Sequence, residues 1–481
     1  MTFGEIVSKI DGIVWGIPTI ILILATGIIL TVASRGIQFT KLGRAFKGIF
    51  KKNDGEGELS GFSALCTALS ATIGTGNIVG VATAIAGGGP GALFWMWIAA
   101  ILGTATKYSE CMLAIKYREV KEDGHILGGP FYTIEKGLKE ITGWNWKWLA
   151  VIFAVLGVLA GLMGIGTMTQ INGITSAVNM AFDNSSVAFT INDNSYTWAT
   201  IISGIVVTLC AALVIIGGLK RISKVAEKVV PAMAIVYVFL GLSVIIMNAT
   251  RIPAAFAMIF KSAFGWKAAI GGAVGWTVKQ ITESMQKGIA RGIFSNEAGL
   301  GSAPIAAAPV QTNEPVEQGL VNMTGTVIDT LIVCTMTGLA IVLALTNPEF
   351  FAQYEANGWQ GVELTANALS FDLGGDGVSV QFLLMLCLAF FAFTTILGWD
   401  YYSEKCLEYL SNGRMKFVMI YRILYIVMIA IGPYFTVDAV FTIADITNGL
   451  MAIPNCIALI VLAGVVAKET KAYFDKYPKL Q

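Results

Sequence analysis

The chain has 481 residues, 55% of them hydrophobic and 13% charged, with a mean hydropathy of +0.71 and a formal net charge of +1. Soluble proteins carry about 25% charged residues, so the composition points to an all-α polytopic membrane protein and excludes a nucleic-acid binder, which would need a basic surface. The single histidine, His125, falls in a polar loop and leaves no material for a histidine-based metal site or catalytic triad.

Apolar runs of about 20 residues suit the thickness of a bilayer core. They recur at 12–34, 61–86, 91–115, 148–181, 197–218, 229–248, 267–290, 317–345, 377–400, 415–433 and 437–466, which makes eleven expected spans. The apolar segment 10–32 is too long for a signal-peptide core and lacks a small-residue cleavage site, so it reads as a retained first span. Segments near 253–265 and 359–371 read as short surface helices. Cysteines 66, 111, 210, 334, 387, 406 and 456 lie in or beside apolar runs without a C-x-x-C pair, which suits small core residues rather than metal ligands or disulfides.

Lys and Arg mark cytoplasmic loops. Arg35, Lys41, Arg44, Lys47, Lys51 and Lys52 lie in 35–60; Lys116, Arg118, Lys121, Lys136, Lys139 and Lys147 lie in 116–147; Lys220, Arg221, Lys224 and Lys228 follow the fifth span. The alternate loops 182–196 and 346–376 carry carboxylates and no Lys or Arg. The 249–267 loop, with Arg251, Lys261 and Lys267, blurs the pattern. The expected topology places the N-terminus outside and the tail, with Lys468, Lys471, Lys476 and Lys479, in the cytoplasm.

Within the second span, Gly74-Thr75-Gly76-Asn77 interrupts an otherwise apolar helix. Each glycine there weakens a helix by about 1 kcal/mol relative to alanine, and Thr75 and Asn77 compete for backbone partners. Unpaired backbone is tolerated at that depth only where it lines a cavity. Setting the first span aside leaves five spans in 61–248 and five in the second half. An odd number per half forces the second half to run upside down, which is an inverted repeat with its binding site at the midplane. The expected organisation is therefore 1–60 (extra span and basic loop), 61–248 and 249–466 (the two repeats) and 467–481 (tail). The corresponding break in the second half is expected in Gly271-Gly272-Ala273-Val274-Gly275-Trp276. Close helix packing through small residues is the competing explanation for both glycine clusters.

The run Gly88 to Gly103, Gly-Gly-Pro-Gly-Ala-Leu-Phe-Trp-Met-Trp-Ile-Ala-Ala-Ile-Leu-Gly, resembles the signature of the alanine or glycine:cation symporters, the sodium/alanine symporter family. Gly74-Thr75-Gly76-Asn77 and the stretch Gly292 to Pro304, Gly-Ile-Phe-Ser-Asn-Glu-Ala-Gly-Leu-Gly-Ser-Ala-Pro, are similar to that family too. The likeness extends through nearly all of the chain. It implies the leucine-transporter fold and uptake of alanine or glycine coupled to sodium or, less often, protons.

An amino acid offers a carboxylate and an ammonium, and a broken helix supplies N–H groups for one and carbonyls for the other. Thr75, Gly76 and Asn77 are expected to take the carboxylate, with the Thr75 hydroxyl as a second donor. In the long span 148–181, Gln170, and Asn172 after it, stand where the fold resembled places a polar side chain against the carboxylate; an interhelical hydrogen bond is the other reading. Carbonyls near Ala273, Val274 and Gly275 are expected to take the ammonium, with Trp276 as a pocket wall or an interface aromatic. For the cation, oxygen ligands suit a hard ion such as sodium. Thr394 and Thr395 are two hydroxyls in an apolar helix. The resemblance implies that they meet carbonyls of Ser70 and Ile73, with the Phe391 carbonyl completing the shell; bonding to the preceding helical turn is the alternative. No resident cofactor is expected.

Lys279 with Glu283, Asp329, Asp438 and Asp445 are ionisable groups inside spans, and structural pairing is favoured over ligation for each. Asp445 with Asn448 also suits an outer gate. Gly292–Pro304 reads as part of an inner gate, with Ser295 as a helix cap and Glu297 in the first turn. The reading is a non-enzymatic, sodium-driven symporter of small neutral amino acids in the plasma membrane. A proton-coupled carrier or exchanger of the same fold is the alternative, and an ion channel a remote one.

Overall fold

The computed structural model describes residues 3–51, 55–122, 124–182, 186–191, 194–265, 274–374 and 377–478. Among these, eight helices are long and apolar enough to cross a membrane, and a ninth span forms if the bent pair Gly61–Thr72 and Gly76–Gly88 is taken as one. The protein is thus an integral membrane protein. Two of the eleven expected spans, 91–115 and 267–290, do correspond to helices, Ala92–Lys116 and Val274–Asn296. Neither is among the apolar eight. Lys107 and Glu110 make one less apolar, and Lys279, Glu283, Lys287 and Arg291 the other. The first of them is tolerated because its polar groups are buried against protein: it packs against Val274–Asn296 and Pro315–Thr326, and Lys107 and Glu110 are both buried.

Glycines set several helix ends. Gly358 and Gly374, at φ +62° and +61°, close Pro348–Asn357 and Gly361–Leu373 in the left-handed conformation that glycine adopts without strain. The expected surface helix at 253–265 is Ile252–Ala263. The one expected at 359–371 is not a surface element. Gly361–Leu373 buries Val362, Leu364, Ala366, Ala368 and Leu369, and the Thr365 hydroxyl donates to the carbonyl of Ile78.

The expected span 148–181 is one candidate span, Lys147–Phe182, built of two helical segments, Lys147–Met163 and Met168–Phe182. Gly164 and Gly166 part them, and the Gly166 carbonyl accepts from the Tyr425 hydroxyl at 3.0 Å. Small residues bring the long helix Gly377–Leu410 against the first broken helix: a Cβ on Gly398 would lie 2.7–2.9 Å from Ala71. Two short antiparallel hairpins complete the described chain, with Glu119 opposite Leu127 and Thr190 opposite Ser195.

Candidate functional site

The helix Gly61–Thr72 starts on a Ser60 cap, whose hydroxyl accepts from the Ser63 N–H at 3.0 Å. It ends where Ile73 turns extended (φ −79°, ψ 95°), and the chain resumes after a 52° bend. Two side-chain amides hold the break open. The Gly74 N–H donates to Asn77 Oδ1 at 2.9 Å, and the Thr75 N–H donates to Gln170 Oε1 at 3.0 Å. In a continuous helix these donors would serve the carbonyls of Ser70 and Ala71. Capturing them relieves both carbonyls of their usual partners. The Ile73 carbonyl is relieved likewise, because the Asn77 N–H bonds to Gly74.

That Ile73 carbonyl accepts from the Thr395 hydroxyl at 3.2 Å. Thr395 and Thr394 both reach the Phe391 carbonyl, at 3.1 and 3.0 Å. The structure therefore brings Ile73, Phe391, Thr394 and Thr395 into one oxygen cluster. Ser70 lies a turn away, its hydroxyl bonded to the Thr67 carbonyl at 2.7 Å. The Thr75 hydroxyl is fully buried and has no hydrogen-bond partner among the described residues. A buried unpaired hydroxyl costs about 1–3 kcal/mol, so it fits a position that meets a ligand.

Gln170 and Thr75 are thus adjacent, as expected. Asn172 is not: its amide donates to the Phe435 carbonyl at 2.9 Å. Asn77 faces a carboxylate, donating through Nδ2 to Asp329 Oδ1 at 2.7 Å. The other oxygen of Asp329 accepts from Ser295 at 2.9 Å and Thr330 at 2.7 Å. Asn77 and Asp329 both sit in widened, π-type turns, Gly76–Gly80 and Val327–Cys334. Such turns often mark functional positions.

The second break expected at 271–276 lies partly outside the described residues. Residues 271–273, including Ala273, lie outside the described residues. Val274, Gly275 and Trp276 begin a helix that runs unbroken to Asn296. Some twenty residues of helix, about 30 Å, separate them from Ser295, which abuts Gly76. They therefore do not share a site with Thr75. The interruption comes at 297–302. The Ala298 N–H turns to Asn296 Oδ1 at 2.9 Å and the Gly299 N–H to Glu110 Oε1 at 2.7 Å. This relieves the carbonyls of Phe294 and Ser295, the same device as in the first break. Glu297 takes a left-handed conformation (φ +57°), an expense of about 1–3 kcal/mol for a non-glycine residue. Its buried carboxylate is held by Trp399 Nε1 and the Ser302 hydroxyl, both at 2.7 Å. Ser295 is consequently in a last helical turn and not a cap, and Glu297 is not in a first turn.

Gly76 completes the juxtaposition: a Cβ there would lie 3.1 Å from the Phe294 ring and 3.2 Å from the Ser295 Cα. Arg291, one turn before Phe294, forms a two-pronged pair with Asp445 at 2.7 Å on each arm. Its guanidinium lies over the Phe294 and Phe441 rings. Lys279 and Glu283 pair with each other, at 3.7 Å on an exposed face. The side chain of Asp438 lies outside the described set. At the opposite end, Arg118 donates to the carbonyls of Glu56, Ala308, Val310 and Thr312 at 2.6–2.8 Å. It ties the entry of the first broken helix to the exit of the second. Sequence reasoning missed Arg118, Phe294, Asn296 and Glu110. The polar run Ser295-Asn296-Glu297 next to Gly299 and Gly301 was the available signal for the second break.

The sodium:alanine symporter family model matches residues 1–480. The chain is 48% identical over 479 residues to an uncharacterized transporter of Haemophilus influenzae, covering 99% of this chain and 97% of that one. It is 44% identical over 480 residues to the sodium/alanine symporter AgcS of Methanococcus maripaludis, covering 98% of each. A putative sodium/proton-dependent alanine carrier of Bacillus subtilis is 35% identical over 478 residues, covering 98% of this chain and 92% of that one. The crystal structure of MhsT with L-phenylalanine superposes with a TM-score of 0.57 at 12% identity, over 87% of this chain and 99% of that one, a likeness of leucine-transporter fold alone. Family and fold agree with the two interrupted helices: the chain belongs to the sodium:alanine symporter family, whose members carry amino acids together with a cation.

Proposed function

We propose that this protein couples inward transport of alanine or glycine to the sodium gradient by alternating access. The observation that carries the reading is the three-residue break Ile73–Thr75. It presents N–H groups beside Gln170 on one side and a carbonyl to Thr395 on the other. The substrate carboxylate binds at Thr75, Gly76 and Gln170, where the Thr75 hydroxyl gains a partner. The ammonium takes the relieved carbonyls of Phe294 and Ser295, in place of those first expected at 273–275. Sodium takes Ser70, Ile73, Phe391, Thr394 and Thr395, an all-oxygen set suited to a hard cation. Close approach of Gly76 to the Phe294 ring makes the space beside the break tight, which favours a small amino acid such as alanine or glycine.

The organisation that goes with this function is one N-terminal span followed by inverted repeats of five, 61–248 and 249–466. It places the N-terminus outside and the tail inside the plasma membrane. Arg291–Asp445 then belongs to the outer gate and the Arg118 clamp to the inner one. Purified protein in liposomes, assayed for radiolabelled alanine uptake with and without a sodium gradient, tests the reading. Uptake should follow inward sodium and persist when the pH gradient is collapsed. Undiminished uptake without sodium, driven by a pH gradient, would replace it with the proton-coupled carrier.

A further inference from the structure

On the long helix Gly377–Leu410, Asp400 lies five residues beyond Thr395, about 7.5 Å of helical rise. Asp400 is fully buried, and neither of its carboxylate oxygens has a hydrogen-bond partner among the described residues. An unpaired buried carboxylate is among the costliest groups a fold can hold. The group it faces on its own helix is a second buried carboxylate, Glu404, one turn on. Glu404 is already matched: Arg422 grips it through Nε and through Nη2 at 2.8 Å. The pair therefore carries two carboxylates against one guanidinium.

Among the described residues no second cation bonds to the pair. The helix Met415–Ile431 brings Arg422, Tyr421 and Tyr425 toward it. The Tyr425 hydroxyl is committed to the carbonyls of Gly166 and Ile396, and that of Tyr421 to the carbonyl of Val158. On the Lys147–Met163 side the helix presents Gly161 against Ser403, close enough that a Cβ would not fit. Lys405, next in sequence to Glu404, is held by Glu408 at 2.8 Å. The Ser403 hydroxyl is used on the carbonyls of Trp399 and Asp400. A metal ion would need several further oxygens, and no group of three carboxylate, histidine or cysteine side chains converges there among the described residues. A proton needs none.

We propose that Asp400 and Glu404 form a proton-binding pair on the helix that carries the cation site. A proton from solvent adds to the Asp400 carboxylate, and the resulting carboxyl donates to Glu404, which stays ionised under Arg422. A carboxyl shared between like charges at close range is stable because both cannot remain ionised. Resting on the sodium site assigned above, the pair sets the affinity of that site. Ionised Asp400 attracts a cation at Thr395 and protonated Asp400 does not. Residues five apart point about 140° from each other round a helix, so the two charges lie about 12 Å apart; at an effective dielectric of about 20 the difference amounts to about tenfold in sodium affinity. Acid conditions on the side to which the pair is open weaken sodium binding and favour its release.

Infrared spectroscopy of the purified protein in lipid, across pH, reads the carboxyl directly and needs no transport. The parent should show a protonated-carboxyl C=O band that titrates away on alkalinisation and is missing from Asp400→Asn. Asp400→Glu should shift the band without removing it, which serves if the Asn variant does not fold. The sodium concentration for half-maximal uptake should fall about tenfold over the same pH range in the parent and stay flat in Asp400→Asn. An identical band in parent and variants overturns the proposal. So does a half-maximal sodium concentration that moves equally with pH in both. Failure of the sodium reading itself would appear differently, as sodium-independent uptake beside an intact Asp400 band.

Discussion

Gly74 is where the two proposed half-sites meet, and alanine there is the most direct challenge to the scheme. A Cβ on Gly74 would overlap the Thr395 hydroxyl outright and sit 2.8 Å from Gln170 Oε1. One methyl group thus pushes on a cation ligand and a substrate ligand together. Overpacking of this kind in a tight interior costs about 1–3 kcal/mol, which is about 5- to 150-fold in binding when the strain falls on the ligated state. Gly80 in the same broken helix is the control, because the nearest atom to its Cβ position is 3.8 Å away. Gly80→Ala changes backbone entropy without collision and should stay within about twofold of the parent. Sodium-driven alanine uptake in liposomes gives both constants. Gly74→Ala should raise the half-maximal sodium concentration and the alanine KM together. If Gly74→Ala kept both constants while Gly80→Ala lost them, the convergence of the two half-sites on residue 74 would be refuted.

Thr395→Val keeps shape and removes one cation ligand, so sodium dependence should weaken at least tenfold while alanine KM at saturating sodium changes little. Gln170→Leu should do the reverse, since it leaves the buried Thr75 N–H unpaired at a cost of about 1–3 kcal/mol; equal effects of both variants on both constants would show that the sites are not separate. Arg118→Lys keeps charge but loses the fork that spans four carbonyls, and should increase maleimide labelling of a Val310→Cys probe on a Cys210→Ser background, Cys210 being the exposed cysteine. Asp445→Asn leaves the Arg291 guanidinium buried without its counter-charge, a loss of about 3–5 kcal/mol, and should lower the melting temperature by several degrees without altering the sodium-to-alanine ratio.

The first break was legible because its cause is local: glycines, a threonine and an asparagine stand inside an apolar run, and lipid cannot satisfy what they release. The interruption at 297–302 was missed for the opposite reason. Gly271-Gly272-Ala273, outside the described residues, stands out as glycine inside greasy sequence, whereas the interruption at 297–302 is opened by groups distant in sequence. Glu110, on another helix, takes the Gly299 N–H, and Trp399, on a third, holds Glu297 in its left-handed turn. The same limit hid the division of 148–181, where Gly166 is fixed by Tyr425 from a helix some 250 residues away. Thr394 and Thr395 were recognisable as hydroxyls without apolar purpose. Their meeting with Ile73 was inferred by resemblance, and the structure brings that contact to 3.2 Å.

The arrangement also explains how one ligand can strengthen the other. Ile73 and Thr75 flank a single residue, yet the carbonyl of the first faces Thr395 while the N–H of the second faces Gln170. Peptide planes are rigid and joined through Cα, so drawing the Ile73 carbonyl toward a cation constrains the tilt of the next planes, which carry the N–H groups offered to a carboxylate. The tilt that suits one ligand is already prepared for the other, and linkage makes the benefit reciprocal. Beyond Thr75 the constraint is handed on. Asn77 holds the Gly74 N–H through its oxygen and Asp329 through its nitrogen, and Asp329 holds Ser295 at the second break. A change in the first interruption therefore has a hydrogen-bonded path of buried side chains to the second. Asn77 is the residue whose loss should uncouple the two breaks, and because it also keeps the Gly74 N–H off the Ser70 carbonyl, its loss should weaken sodium binding as well.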